Sequence, residues 1–332
     1  MQLFPEKMEK AFEGNVEAIS LLQKSLGISY LDAYVEQIEN IVDHFQVRVE
    51  DGEPDEATVE QLKTLYAQLQ EVTLEPEERR KLSQLLLLKG NSLEPMQANH
   101  QLTPDGIGFL FVYLLEQLLD KEVRLLDPAV GMGNLLLTIM TNLQLAKYTV
   151  TGIGVDIDET LLAVAAADAE WTEQPVELFH QDGLQDLLID PVDAVISDLP
   201  VGFYPNDQRA QSFKTGVAEG HSYAHHLLME QGMHYVKPGG YGVFLVPSNL
   251  LETEQAPELK KWLAESVFLQ GLIQLPDELF KSEQSRKSIL LVQNREGGLQ
   301  KEVLLAQLTS LKDPKVLQQF FKQFEDWSSS NK

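Results

Sequence analysis

Four aspartates stand where apolar, strand-like stretches end: Asp127 closes Val123–Asp127, Asp156 closes Thr149–Asp156, Asp182 closes Val176–Asp182 and Asp198 closes Val192–Asp198. If these strands run parallel, their carboxylates share one sheet edge, where open α/β folds bind ligands. After the first strand comes Asp127-Pro128-Ala129-Val130-Gly131-Met132-Gly133-Asn134. Glycine has no Cβ, so backbone at Gly131 and Gly133 can approach a ligand closely. Asp127 is within reach of a ligand's ammonium or of loop amides. Asp156 is placed for two ribose hydroxyls, as an acid is in dinucleotide folds. Asp182 could accept a hydrogen bond from an adenine amine, with Gly183 and Leu184 lining the ring. A dinucleotide site would prefer a third glycine where Leu136 stands, and a cation for the pyrophosphate. The ligand therefore reads as a nucleoside without phosphates.

The elements that must position these acids alternate. Further strands are expected at Gly242–Pro247, Leu269–Leu275 and Ile289–Gln293, and helices at Pro104–Leu119, Asn134–Lys147, Glu159–Trp171, His221–Val236 and Glu254–Ser266. Strand and helix in alternation predict βαβ units. The stretch Asp277–Lys287 is too short for a crossover, so the last two strands should pair antiparallel. The fold class is α/β: a Rossmann-like, seven-stranded, mostly parallel sheet with an antiparallel last strand. Strand-like Val303–Leu308 and a helix from about Pro314 to Trp327 are expected to cap it, ahead of a frayed Ser328–Ser330.

Residues 1–95 lack alternation and carry apolar positions at helical spacing, as in Tyr30, Tyr34, Ile38 and Ile41. They read as an N-terminal helical domain, followed by a catalytic domain over 96–332. The helical part could contact a partner or simply cover the sheet; both readings stay open.

Composition narrows the classes. The 332 residues include 51 acidic and 26 basic side chains, a net charge of −25, and no cysteine. The acidic surplus argues against broad gripping of bare DNA. Thiolate zinc sites, disulfides and thiol nucleophiles are excluded. Met1–Lys7 has no signal-peptide pattern and no apolar run suits a membrane span, so the expectation is a soluble cytoplasmic protein without membrane partners. His221 and His225 are one helical turn apart with no third ligand in view, and no metal is expected.

In family order, these stretches resemble the class I S-adenosylmethionine-dependent methyltransferases. Within them the chain is similar to the N6-adenine DNA methylase family, whose relatives include modification subunits of type I restriction systems. His100-Gln101-Leu102-Thr103-Pro104 is similar to the family's Gln-x-x-Thr-Pro stretch, and Asp127–Asn134 to its Asp-Pro-Ala-Cys-Gly-Ser-Gly turn. Gly154-Val155-Asp156-Ile157-Asp158 resembles the ribose-binding strand and Gln181-Asp182-Gly183 the adenine-binding one. Lys237–Gly240, Leu245–Leu250 and Leu275–Phe280 resemble the later turns and the closing hairpin.

The resemblance implies S-adenosyl-L-methionine as cofactor. Gln101 and Thr103 would meet its methionine part, the backbone of Ala129, Gly131, Gly133 and Asn134 would cradle it, Asp156 and Ile157 would serve the ribose, and Asp182 and Gly183 the adenine. Asp198 would border both cofactor and acceptor.

The catalytic signature departs from the family's Asn/Asp/Ser-Pro-Pro-aromatic: here it is Asp198-Leu199-Pro200-Val201. An exocyclic amine is conjugated with its ring and is a poor nucleophile. A side-chain acceptor and a backbone carbonyl that bind both N–H groups favour the attacking form, and an aromatic face holds a flipped base. Asp198 and Pro200 are retained, whereas Val201 lacks the ring. With Gly202 letting the chain bend, Phe203 or Tyr204 could take its place, or both rings could simply pack under the loop; both readings stay open.

The function implied is an adenine-N6 type methylase. The alternatives are methylation of RNA, protein or a small molecule, or a cofactor-binding scaffold with little transferase activity. No base-reading segment follows the catalytic region, so specificity for DNA or another nucleic acid would come through a separate partner. Arg209, Lys214, Lys281, Arg286 and Lys287 form a local basic excess that could contact phosphates or simply belong to solvated loops; both readings stay open. The helical domain is the candidate surface for a protein partner.

Overall fold

The computed structural model describes residues 5–97 and 100–329; Met1–Phe4 of the opening segment and Ser330 of the terminal serines lie outside them. The helical segment comprises α1 (Glu6–Leu26), α2 (Tyr30–Val42), α3 (Glu56–Leu69) and α4 (Pro76–Leu93). Each boundary has a local cause. Gly27 takes a left-handed conformation and stops α1, the Ser29 side chain caps α2, and Asp55 caps α3. Pro76 opens α4 inside a reciprocal Glu75–Glu78 capping box.

Next come α5 (Asp105–Leu118), β1 (Glu122–Asp127), α6 (Asn134–Leu145), β2 (Thr149–Asp156), α7 (Glu159–Trp171), β3 (Val176–His180) and β4 (Val192–Asp198). The chain continues through α8 (Asp207–Ala210), α9 (Ala224–His234), β5 (Val236–Pro247), α10 (Ala256–Glu265), β6 (Val267–Gln274), β7 (Lys287–Asn294), β8 (Leu304–Gln307) and α11 (Pro314–Ser329). Sheet order is β3-β2-β1-β4-β5-β7-β6-β8. Only β7 runs antiparallel, against both β5 and β6; the other neighbours are parallel. The expected mostly parallel sheet with an antiparallel late strand is present.

Seven strands become eight. The stretch read as a cap, Val303–Leu308, supplies β8, which joins the edge in parallel register with β6 from Gly271↔Leu304 to Gln274↔Gln307. It is short, and Leu305 faces solvent. Its strand character is as expected; what so short a strand does not reveal is that it pairs into the sheet and does not lie over it.

Apolar side chains fill both faces. Phe111, Leu136 and Ile139, with Phe320 and Phe324 of α11, cover one; Leu227, Met229, Leu259 and Trp262 cover the other. The helical segment is built onto the first layer: Tyr34, Ile38 and Leu86 share a core with Leu161, Val164 and Trp171 of α7. Two buried polar clusters reinforce this contact. Tyr34 Oη and Ser83 Oγ each donate to Asp168 at 2.5 Å. Arg80, fully covered, reaches Glu77 and Asp105 with two hydrogen bonds each and Thr138 of α6 with a fifth. The helical segment thus packs chiefly on α6 and α7, helices that themselves cover the sheet.

Candidate active site at the β1–β4 switch point

Strand order turns outward in opposite directions from the adjacent pair β1 and β4, and the C-terminal ends of such a pair border the ligand crevice of open α/β sheets. A cavity of about 430 Å³ lies there. Asp127 comes from β1 and Asp198 from β4, paired through Leu125↔Ala194 and Leu126↔Val195.

Asp127 is buried, and its Oδ1 accepts from Ser197 Oγ at 2.7 Å and from Ala129 N at 3.1 Å. Burial drives its carboxyl up to about 7; the two donated bonds oppose this, and the nearby charges of Asp156 and Asp198 add to it. A cationic ligand would reverse the penalty.

The turn after β1 is held by Val130 N to Val155 O at 2.9 Å and by Gly131 N to Asp156 Oδ2 at 2.7 Å. Gly131 has φ +52°, and a Cβ there would meet open cavity space, so backbone itself forms this wall. Gly183 serves differently: a Cβ would fall 2.2 Å from the Pro128 carbonyl oxygen, so its bareness lets the loop after β3 press against the turn.

Gln101, Thr103, Asp127, Ala129, Gly131, Asn134, Asp198 and Pro200 all line this cavity. Gly133, Asp156, Ile157, Asp182 and Gly183 do not; they lie behind the turn or farther along the edge. Asp156 spends one hydrogen bond on Gly131 N and another on Asp158 N at 2.9 Å, and thereby shapes the loop. The Ile157 side chain points to solvent. Asn134 donates to Thr103 O at 2.8 Å and accepts from Gln84 of α4 at 3.3 Å, linking the cavity wall to the helical segment.

Neither candidate ring, Phe203 nor Tyr204, enters the cavity. After Pro200 the chain turns away from the cavity to bond with 222–224, through Tyr204 N to Ser222 O at 2.8 Å and Ala224 N to Gly202 O at 2.9 Å. This extended pairing sends alternate side chains to opposite sides. Phe203 projects outward, 57% exposed, and stacks on Tyr223 with centroids 4.9 Å apart. Tyr204 points inward and donates to Asp182 Oδ2 at 2.5 Å. Burial, then that bond, push the Tyr204 phenol above its usual range. Neither ring lines the cavity; Phe280, from the loop before β7, does. Replacing Tyr204 with Phe is expected to lower stability by about 1–2 kcal/mol, because Asp182 loses a charge-assisted partner. Urea titration followed by circular dichroism would measure the loss.

The basic excess also reads differently in three dimensions. Arg209 bonds Leu184 O at 2.7 Å and Asp186 at 3.0 Å, Lys214 bonds Ser266 Oγ at 2.9 Å, and Arg286 pairs with Asp277 at 3.0 Å. Lys287 pairs with Asp198, whose other oxygen accepts from Thr103 Oγ1 at 2.8 Å. Four of the five cations thus have partners within the fold, and Lys281 lines the cavity. The sequence offered Lys287 only as one of five cations; its contact with the acid at the β4 end had no local signal.

His221 meets Asp207 at 2.8 Å, while His225 and His226 are buried and held neutral, their pKa pushed down to about 4 and about 3 by burial. Among the described residues no group of three or more His, Asp or Glu side chains is placed to hold a metal, and no helix is long and apolar enough to cross a membrane.

Comparison with known proteins agrees with this geometry. Residues 93–324 match the family described as N-6 DNA Methylase, and residues 9–91 match the YtxK N-terminal helical domain. The uncharacterized protein YtxK of Bacillus subtilis (strain 168) is 40% identical over 321 residues, spanning 95% of this chain and 96% of YtxK. A solved structure from Listeria monocytogenes, provisionally assigned as a class I S-adenosylmethionine-dependent methyltransferase, is 42% identical, with a TM-score of 0.89 over 98% of this chain and 99% of that one. The type I restriction-modification methyltransferase subunit of Streptococcus thermophilus is 13% identical with a TM-score of 0.65, covering 95% of this chain and 73% of that one, a likeness of fold alone. With its sheet, its strand-end acids and a family match over most of its length, this chain belongs to the N-6 DNA methylase family.

Proposed function

We propose that the chain transfers a methyl group from S-adenosyl-L-methionine to the exocyclic amine of an adenine-type acceptor. One observation carries the reading: Asp127 and Asp198, on adjacent strands at the switch point, face a single cavity. The residues fit the cofactor. Asp127 is a buried carboxylate that a cation would relieve, and the bare backbone at Gly131 leaves room for close approach. Asp127, Gly131, Asn134, Gln101 and Thr103 would hold the methionine and sulfonium side; Asp156, Ile157, Asp182 and Gly183 extend the edge for the nucleoside. When bound, the cofactor supplies an electrophilic methyl on a sulfonium.

The chain's own part is orientation. Asp198 would accept one N–H of the acceptor amine and the Leu199 carbonyl the other, which localises the nitrogen lone pair for attack. Pro200 stiffens this turn, and Phe280 offers the acceptor a ring face in place of one at Val201. A methylase in which DNA is read by a separate partner suits the acidic surface, as does a protein partner on the helical domain, which we treat as residues 1–95 preceding a catalytic domain over 96–332.

Binding should depend on pH with a definite sign. Below pH 7 Asp127 is mostly protonated, and a cationic ligand must expel that proton; affinity is expected to rise with pH up to about 7, by at most about tenfold per unit. Calorimetric titration with S-adenosylmethionine between pH 6 and 8, in buffers of differing ionisation heat, reads affinity and proton release together. No binding at any pH would remove the cofactor reading.

A second reading, a cofactor-binding scaffold with weak transfer, is favoured by one feature: the acid at the β4 end is already paired, with Val201 beside it. Comparing N6-methyladenine in genomic DNA of wild-type and deletion strains separates the two. Loss of a site-specific signal supports the methylase; an unchanged methylome supports the scaffold or another acceptor.

A further inference from the structure

Asp198 is held from two sides. Thr103 Oγ1 donates to Oδ2 at 2.8 Å, and the Lys287 ammonium contacts Oδ1. Lys287 arrives on β7, opposite Pro247 of β5, so the fold places it over the acid from a strand two positions away in the sheet. Both side chains are largely shielded, 24% and 21% exposed, so the charges act on each other and on a guest through little water. Behind Lys287 stands His225, buried, its Nδ1 without a partner and neutral at ordinary pH, so it adds no charge to the pair.

A lone carboxylate here would attract alkylammonium groups, which have no lone pair and cannot accept a methyl. With Lys287 in contact the pair is neutral overall, and an incoming ammonium meets the lysine's repulsion. A neutral N–H group meets none, and Asp198 retains lone pairs to receive it. We propose that Lys287 is a specificity-determining residue of the acceptor site: by neutralising Asp198 it admits neutral N–H donors, aromatic amines or amides, and refuses protonated alkylamines. This rests on the methyltransferase reading above and adds the acceptor's charge class to it. In the transfer the nitrogen lone pair forms the N–C bond while the S–C bond breaks, its electron pair staying on sulfur as a neutral thioether. One N–H proton departs to water.

The test needs no known acceptor. Sinefungin carries an ammonium where the cofactor has its sulfonium methyl, whereas S-adenosylhomocysteine carries a neutral thioether. Calorimetry with both ligands on wild type, Lys287→Met, Lys287→Gln and Lys287→Arg gives an affinity ratio for each protein, and circular dichroism reports folding. Removing the lysine charge should raise the sinefungin preference by about tenfold or more over wild type, and Lys287→Arg should stay within about twofold. Either neutral variant suffices if the other fails to fold. An unchanged ratio in a folded neutral variant overturns the proposal and leaves the cofactor reading standing. Absence of S-adenosylhomocysteine binding to wild type overturns both.

Discussion

Asp198→Ala is expected to keep the fold and to bind the neutral S-adenosylhomocysteine within about threefold of wild type, yet to lose methyl transfer by about 100-fold or more. The carboxylate sits at the end of β4 with both oxygens engaged by Thr103 and Lys287, so its orientation is fixed before any acceptor arrives. Preorganised groups of this kind act on the transition state and leave ground-state binding largely alone. Cofactor contacts are assigned mainly to Asp127 and the glycine turn, and Asp127 has its own support in Ser197. The measurement is release of S-adenosylhomocysteine with the acceptor that the methylome comparison identifies, alongside calorimetry for the cofactor. Equal losses of binding and turnover would show that Asp198 holds cofactor instead of orienting an acceptor.

Arg80→Leu should be the most damaging single change to stability, by about 3–5 kcal/mol. The guanidinium is buried, with a fork on Glu77 and another on Asp105. Without it two partly buried carboxylates face each other across the seam between α4 and α5. Its fifth bond, to Thr138, anchors the helical segment to α6, the helix that opens from the glycine turn. Urea denaturation followed by circular dichroism measures the loss. Adding Glu77→Gln and Asp105→Asn to Arg80→Leu should recover part of it, since the stranded charges are then removed.

Legibility in the sequence followed the range of each interaction. The bounds of α7 could be read to the residue because Asp158 caps it and its apolar spacing is regular. The parallel sheet could be read because strand and helix alternate, and the antiparallel β7 because its connection is short. The strand character of Val303–Leu308 could be read, but its pairing with β6 could not, since nothing local marks which edge a short strand joins. In the site, Asp127, Asp156 and Asp198 could be placed on one edge because each ends a strand. Their partners could not. Lys287 reaches Asp198 only because the order β4-β5-β7 stacks two distant segments, and a spacing of 89 residues leaves no local trace. Tyr204 likewise meets Asp182 through a bend that pairs 202–204 with 222–224. Charge can be counted in a sequence, but pairing cannot. Of the five cations for which phosphate contact stayed open, four have partners within the fold.

That neutralised rim has a consequence for ionic strength. Proteins that grip nucleic acid gain affinity by expelling condensed counterions, roughly one for each phosphate met by a free cation, and so they bind best in dilute salt. Here Arg209, Arg286 and Lys287 already sit on carboxylates within a chain of net charge −25. The edge has little counterion release to offer, and dilute salt strengthens its repulsion from a polyanion. On the methylase reading, most of the cations that meet a nucleic acid near Asp198 would come from another molecule.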